Sequence, residues 1–158
     1  MAGSFFLGLI AGVVITGVLV WKLMPKLMLT VHKSRLGFEE TVAAIEQAAK
    51  AHGWNVPKIY DLQNTIRTAG HEDMTPVKII SMCQPDHAYR VLREDANKMV
   101  SGIMPCRIGV FVPADGQVRL AKMNVRLMSR MFGGTITEVM AKVATEEERI
   151  LRDVVEHR

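Results

Sequence analysis

The chain has few of the residues on which disulfide-rich and zinc-dependent proteins rely. Its 158 residues include two cysteines, Cys83 and Cys106, and no CxxC, HExxH or zinc-finger spacing occurs. Small secreted scaffolds usually carry more cysteines. The sequence therefore argues against a disulfide scaffold and a zinc finger. It predicts instead one ordinary domain with its own hydrophobic core.

Aromatic residues are also scarce, at 6 % of the chain, and the basic residues behind the net charge of +4 are scattered. A nucleic-acid-binding protein is expected to show a basic stripe with stacking aromatics, so we expect no nucleic-acid partner. The chain has no Ser-His-Asp arrangement and no glycine-rich phosphate loop. The sequence thus points to no particular reaction.

A long apolar run is present at the N-terminus. Residues 5–21 contain no ionisable side chain, and about 17 to 20 apolar helical residues are enough to cross a bilayer. The basic start and the small-residue cleavage site of a signal peptide are missing. We predict a retained single transmembrane helix over residues 1–25, ended by Pro25, and one domain over residues 26–158.

The charges around this run predict its orientation. Lys22, Lys26, Lys33 and Arg35 all follow the run, and none precedes it. Positively charged flanks stay in the cytoplasm, so we expect a single-pass protein of the cell inner membrane whose domain faces the cytoplasm. Contact with the lipid bilayer is then the first expected interaction.

Small side chains recur every four residues along the same run, at Ser4, Gly8, Gly12 and Thr16. This spacing places them on one helix face, which lets a second helix approach closely. The pattern predicts a contact with another membrane protein through this face.

The rest of the chain mixes strand and helix patterns. Alternating or β-rich segments lie at 28–35, 54–60, 77–83, 103–112 and 117–123, with a hairpin turn at 113–116. Helical stripes lie at 38–50, 62–69 and 84–97, and capping boxes at 135–138 and 145–148 begin two further helices. This order predicts an α+β fold, an antiparallel sheet with helices packed on one face.

Several short blocks occur together along the domain. They read MPKLM at 24–28, SRLGFEETV at 34–42, CQPDHA at 83–88, MPCRI at 104–108 and FGGTI at 132–136. In these blocks the chain resembles the family of domain of unknown function 302, in particular its membrane-anchored branch. The resemblance implies a TATA-box-binding-protein-like α+β fold, often a homodimer, and it implies no activity.

The best candidate site joins Cys83, Cys106 and His87. Cys83 ends a strand just before a helix N-terminus, where amide groups and the helix dipole would lower the pKa of its thiol. If the strands holding the two cysteines are neighbours, their sulfurs approach each other, and His87 follows four residues after Cys83. Such donors suit copper, zinc or haem iron. The alternative is a pair of inert packing cysteines.

Methionine and a second loop extend the candidates. Met82 and Met104 would add thioether sulfurs, although Met82 points to the face opposite Cys83 in a regular strand. The second candidate is the polar loop His71, Glu72 and Asp73, because loops often carry function.

Three functions remain open from the sequence. The favoured one is a membrane-anchored accessory protein with a thiol or soft-metal site, beside a membrane redox or sulfur- or metal-handling system. The second is a structural accessory subunit that binds a membrane complex through its transmembrane helix. The third is a small-ligand pocket between sheet and helices.

Overall fold

The structure, a computed structural model, describes residues 2–156, with side chains from residue 8 onward. Its strands are β1 (Leu29–Lys33), β2 (Asn55–Asp61), β3 (Val77–Cys83), β4 (Cys106–Phe111) and β5 (Arg119–Met123). Its helices are α1 (Ala2–Met28), α2 (Phe38–Ala51), α3 (Leu62–Thr68), α4 (Pro85–Leu92), α5 (Val125–Ser129), α6 (Gly134–Leu151) and a 3-10 helix (Asp95–Ile103). The strands form one antiparallel sheet in the order β1-β5-β4-β3-β2, and the predicted α+β class is confirmed.

The hydrophobic core lies between the sheet and the helices. Ile80 of β3 and Ile108 of β4 face each other across the sheet, and Leu120 of β5 lies in the next strand. All three are fully buried, as are Ile45 of α2 and, nearly so, Ile150 of α6. Burying one such side chain stabilises the fold by roughly 1.5–3 kcal/mol. The alternation of apolar residues therefore decides which face of the sheet the helices cover.

The N-terminal helix is longer than predicted. Pro25 does not end it, because α1 continues to Met28. Proline removes one helical hydrogen bond but does not stop a helix whose later carbonyls find other partners. Here the backbone N–H of Asn124 donates to the Met28 carbonyl at 2.7 Å, and its side chain donates to the Leu27 carbonyl at 3.0 Å. Within the described residues, one helix is long and apolar enough to cross a membrane.

The predicted helix-contact face is uncovered where the structure describes it. Gly8, Gly12 and Thr16 are exposed, and a Cβ placed on either glycine would meet no atom within 4 Å. The side chain of Ser4 lies outside the described residues. A contact with another helix through this face stays a prediction.

The C-terminal region also departs from the prediction. The box at 145–148 starts no helix, because α6 is continuous and Thr145 lies inside it. The buried stripe runs unbroken from Ile136 to Leu151, so packing holds the backbone helical through the second box. The helix predicted over 84–97 is shorter, since α4 ends at Leu92.

One end of the sheet lies directly at the end of α1. Leu29, the first strand residue after the helix, pairs with Met123, the last residue of β5. The first residue of β4 is Cys106, which pairs with Met82 next to the end of β3 at Cys83. Because neighbouring strands are antiparallel, these strand ends form one row. We call it the α1 end of the sheet.

Candidate functional site

A cavity of about 300 Å³ lies at the α1 end of the sheet, below α4 and α6. Ligand pockets usually occupy roughly 300–1,000 Å³ and are mostly apolar. Most of this cavity's wall is apolar. Its apolar residues include Met82, Val91, Met104, Ile136, Val139 and Val143.

The three residues predicted as a site line this one cavity. Cys83 closes β3, Cys106 opens β4, and His87 lies in the first turn of α4. Strands β3 and β4 are neighbours, as the prediction required, and both thiols are free. Met82 lines the cavity as well. Cys83 is the last residue of β3, and it lines the cavity together with Met82 although the two are adjacent in the strand.

The prediction of a lowered thiol pKa was wrong. Burial raises the pKa of the Cys83 thiol. It also raises the pKa of Cys106 to about 12, with further contributions from the Glu147 carboxylate and from Cys83. At the start of α4, the Gln84 side chain already accepts the His87 N–H at 2.8 Å, and Pro85 has no N–H to offer. Desolvation therefore outweighs the helix dipole, and both cysteines are neutral thiols at pH 7.

Glu146 of α6 orients His87. The Nε2–H of His87 donates to Glu146 Oε1 at 3.0 Å, and Trp54 Nε1–H donates to Oε2 at 2.9 Å. The two rings meet edge to face, with centroids 6.5 Å apart. One carboxylate thus holds both rings of the cavity wall and fixes the orientation of His87 through its Nε2.

An ion pair lies deeper in the same region. Lys122 Nζ of β5 is 2.7 Å from Glu147 Oε2 of α6, and the two side chains are 12 % and 2 % exposed. Burial raises the pKa of Glu147, and Lys122 opposes that shift. Glu147 lines the cavity together with Cys106.

Sequence reasoning missed both acidic residues. Glu147 had a signal, because it occupies the apolar stripe of α6 between Val143 and Ile150, where a carboxylate must find a buried partner. Glu146 had none. It lies in a run of three glutamates, and its partners Trp54 and His87 are distant in sequence.

The second predicted loop lies apart from this cavity. His71, Glu72 and Asp73 are exposed and precede β3, whereas Cys83 lies at the far end of that strand. Among the described residues, no group of three or more His, Cys, Asp and Glu side chains is placed to hold a metal ion. A metal site therefore stays a prediction at both positions.

Comparison with known proteins identifies the domain. A family model described as "Domain of unknown function DUF302" matches residues 30–157. The fold also matches a crystal structure of an uncharacterized conserved protein DUF302 from Bacillus stearothermophilus, with a TM-score of 0.69 and 22 % identity. That match covers 80 % of this chain and 97 % of the other. No curated protein matches the chain.

Proposed function

We propose, for a chain that belongs to the DUF302 family, that the domain is a binding protein whose cavity holds a small molecule against Cys83, Cys106 and His87. One observation carries the proposal. Three residues from two separate sequence blocks line a single cavity. The walls are apolar and the polar groups are few, which is the usual composition of a small-molecule site.

The polar groups have different roles in this proposal. Apolar walls take the body of the ligand out of water. His87, held through Nε2 by Glu146, offers a fixed ring to a polar group of the ligand. The neutral thiols are soft, weakly polar contacts. Glu147 is already paired with Lys122, so it supplies no free charge to the ligand.

A soft metal is the second candidate. Cys83, Cys106, Met82, Met104 and His87 all line the cavity, and Cu(I) prefers thiolate and thioether sulfur. A metal would have to displace the protons of two half-buried thiols. It would also have to use His87 Nδ1 or break the bond to Glu146. A metal ligand, with the redox or sulfur-handling role that it implies, is therefore the weaker candidate, and a small molecule is the stronger one.

We further propose that α1 anchors the domain in the inner membrane. The helix has the required length and composition, and Lys22 and Lys26 favour a cytoplasmic domain. There the thiols would stay reduced. The membrane branch of the family, the homodimer and a membrane partner at the Gly8 and Gly12 face remain predictions. A purely structural accessory subunit would use that face and leave the cavity empty.

Binding is testable through Trp54, which lines the cavity. The chain has two tryptophans, so Trp21→Phe leaves Trp54 alone. We expect full-length, detergent-purified Trp21→Phe protein to transfer energy from Trp54 to the apolar dye N-phenyl-1-naphthylamine in a saturable way. Adding Val139→Phe fills the cavity and should weaken dye binding at least tenfold.

The matched control is Val154→Phe, which overpacks a buried position outside the cavity wall. Overpacking costs roughly 1–3 kcal/mol in either place, but only Val139→Phe should reduce dye binding. Equal signals from both variants would mean that the dye reports detergent alone, and the small-molecule proposal would be lost. Stoichiometric Cu(I) or zinc binding that requires both cysteines would favour the metal candidate instead.

A further inference from the structure

The helices cover one face of the sheet, and within the described residues the other face stays uncovered. Lys78 of β3 forms an ion pair with Glu39 of α2 at 2.7 Å. The side chain of Ile79, its neighbour in the strand, therefore lies on the face away from the helices. Cross-strand pairing extends this second face over all five strands, and its central row consists of Val31, Ala121, Gly109, Ile79 and Tyr60. We call this surface the open face.

The open face meets solvent at its centre and at both edges. Apart from its chain neighbours, a Cβ placed on Gly109 would meet a single described atom within 4 Å, the backbone oxygen of Ala121 at 3.8 Å. Val31 is 56 % exposed at one edge of the sheet, and Tyr60 is 37 % exposed at the other. Packing inside the domain therefore does not account for this surface.

Every charged strand residue whose register position lies on the open face is basic. These residues are Lys33 of β1, Lys58 of β2, Arg107 of β4 and Arg119 of β5. Arg119 forms an ion pair with Asp115. Among the side chains that the structure describes, no carboxylate forms a salt bridge with Lys33, Lys58 or Arg107. A surface with cations and so little counter-charge of its own favours an anionic partner.

Two of these cations belong to the row of the open face that lies at the α1 end of the sheet. This row begins at Leu29, directly after α1, and the register continues it through Met123, Arg107 and Ser81 to Lys58. About 12 Å of helix separate Leu29 from Trp21, a residue that suits the membrane interface. Head groups extend roughly 5–7 Å beyond the hydrocarbon, and charges act over about 8 Å in physiological salt. With α1 across the bilayer, the row therefore lies within reach of lipid head groups.

We infer that the open face binds the anionic phospholipids of the leaflet at which α1 ends. The inference rests on the proposed anchoring of α1 and not on what the cavity holds. Lys58 and Arg107 bind lipid phosphates, which a guanidinium can hold with two hydrogen bonds, and Leu29 lies beside them. The cytoplasmic leaflet, which the predicted orientation of the domain selects, is the anionic one. A second copy of the chain is the weaker candidate, because it would set a basic surface against itself.

The experiment measures the acetylation of lysines by acetic anhydride in full-length protein, with one copy in each nanodisc and mass spectrometry as the readout. Discs that contain phosphatidylglycerol are compared with discs of pure phosphatidylcholine. We expect Lys58 to react about fivefold more slowly in the anionic discs, the factor by which one basic residue strengthens contact with an anionic leaflet. Raising the salt to about 1 M should remove this difference. Lys142 of α6, in the helix layer and 51 % exposed, should react equally in both discs.

Arg107→Gln tests the row itself and should remove most of the protection of Lys58 in anionic discs. The matched control is Arg149→Gln, which removes the same charge from an exposed position of α6 and should leave the protection of Lys58 unchanged. Equal losses from the two variants would mean that net charge alone draws the domain to the lipid, and the assignment of the open face would be overturned.

The remaining outcomes separate this inference from the proposed anchoring. If the protein enters the discs and Lys58 reacts equally in both lipids, the inference falls and the anchoring stands. If the protein does not enter the discs, both fall. Protection of Lys58 that also occurs in detergent and rises with protein concentration would show that a second copy covers the open face, and the lipid assignment would be wrong.

Discussion

Replacing Lys122 by Met is expected to lower the free energy of unfolding by about 3–5 kcal/mol at pH 7, since it leaves the Glu147 carboxylate buried without its partner. Single domains have about 5–15 kcal/mol in total, so the loss is a large fraction. Urea unfolding of the full chain in detergent, followed by Trp54 fluorescence in the Trp21→Phe background, measures it.

The pH dependence of this loss has a definite sign. The folded-state pKa of Glu147 already lies above its ordinary value of 4.5, and removing Lys122 removes an opposing charge. The unfolded chain therefore releases this proton first as the pH rises. The Lys122→Met protein should be closest to the parent below pH 4.5 and should lose stability as the pH rises through the folded-state pKa.

Two further variants test whether the burial of Glu147 causes the loss of stability in Lys122→Met. Lys50 forms an equally short pair with Glu46, at 2.6 Å, but Lys50 is 60 % exposed, so Lys50→Met should cost no more than about 0.5 kcal/mol. The double variant Lys122→Met with Glu147→Leu should recover most of the loss, because no buried charge remains. A small loss in Lys122→Met, or no recovery in the double variant, would contradict the buried pair.

Cys106 is expected to react with iodoacetamide about a thousandfold more slowly than an ordinary thiol at neutral pH. Its pKa of about 12 stands against an ordinary value of 9.0, and a difference of 3 units lowers the thiolate fraction by that factor. The thiolate is the reactive form. Alkylation of Cys83→Ala protein, followed by mass spectrometry with glutathione as the reference thiol, gives the rate of Cys106 alone.

Cys106→Ala is the companion variant and leaves Cys83 alone. Burial raises the pKa of Cys83 without a contribution from Glu147, so this thiol should react faster than Cys106. If Cys106 reacts as fast as glutathione in folded protein, the cavity does not shield it, and the neutral-thiol description is wrong.

The raised pKa of Cys106 also makes the free energy of unfolding fall as the pH becomes alkaline. The unfolded thiol loses its proton near pH 9, and the folded one only near pH 12. The contribution of Cys106 to the free energy of unfolding is therefore complete below pH 9. It is lost as the pH rises from 9 to 12, by up to about 1.36 kcal/mol per pH unit. The slope of the free energy of unfolding against pH should be smaller in Cys106→Ala than in the parent protein. The other groups that titrate in this pH range are common to both proteins. Identical slopes in the two proteins would contradict the shift.

Local chemistry was enough to predict several parts of the molecule. The apolar run up to Trp21 predicted a long N-terminal helix, and the alternating segment 77–83 predicted β3 with the correct bounds. Period and turn residues report backbone conformation directly. The motif blocks also led to Cys83, Cys106 and His87, which share one cavity. These features depend on neighbours in sequence, so one chain is sufficient to find them.

The features that could not be predicted from the sequence depend on contacts between residues that are distant along the chain. The pairing of β3 with β4, which gathers the two cysteines, is a matter of strand order. Burial then reversed the predicted direction of the pKa shift of Cys83, and packing carried α6 through Thr145. Lys122 meets Glu147 only because β5 lies under α6. Desolvation and charge pairing act over a few ångströms in space, whatever the separation along the chain.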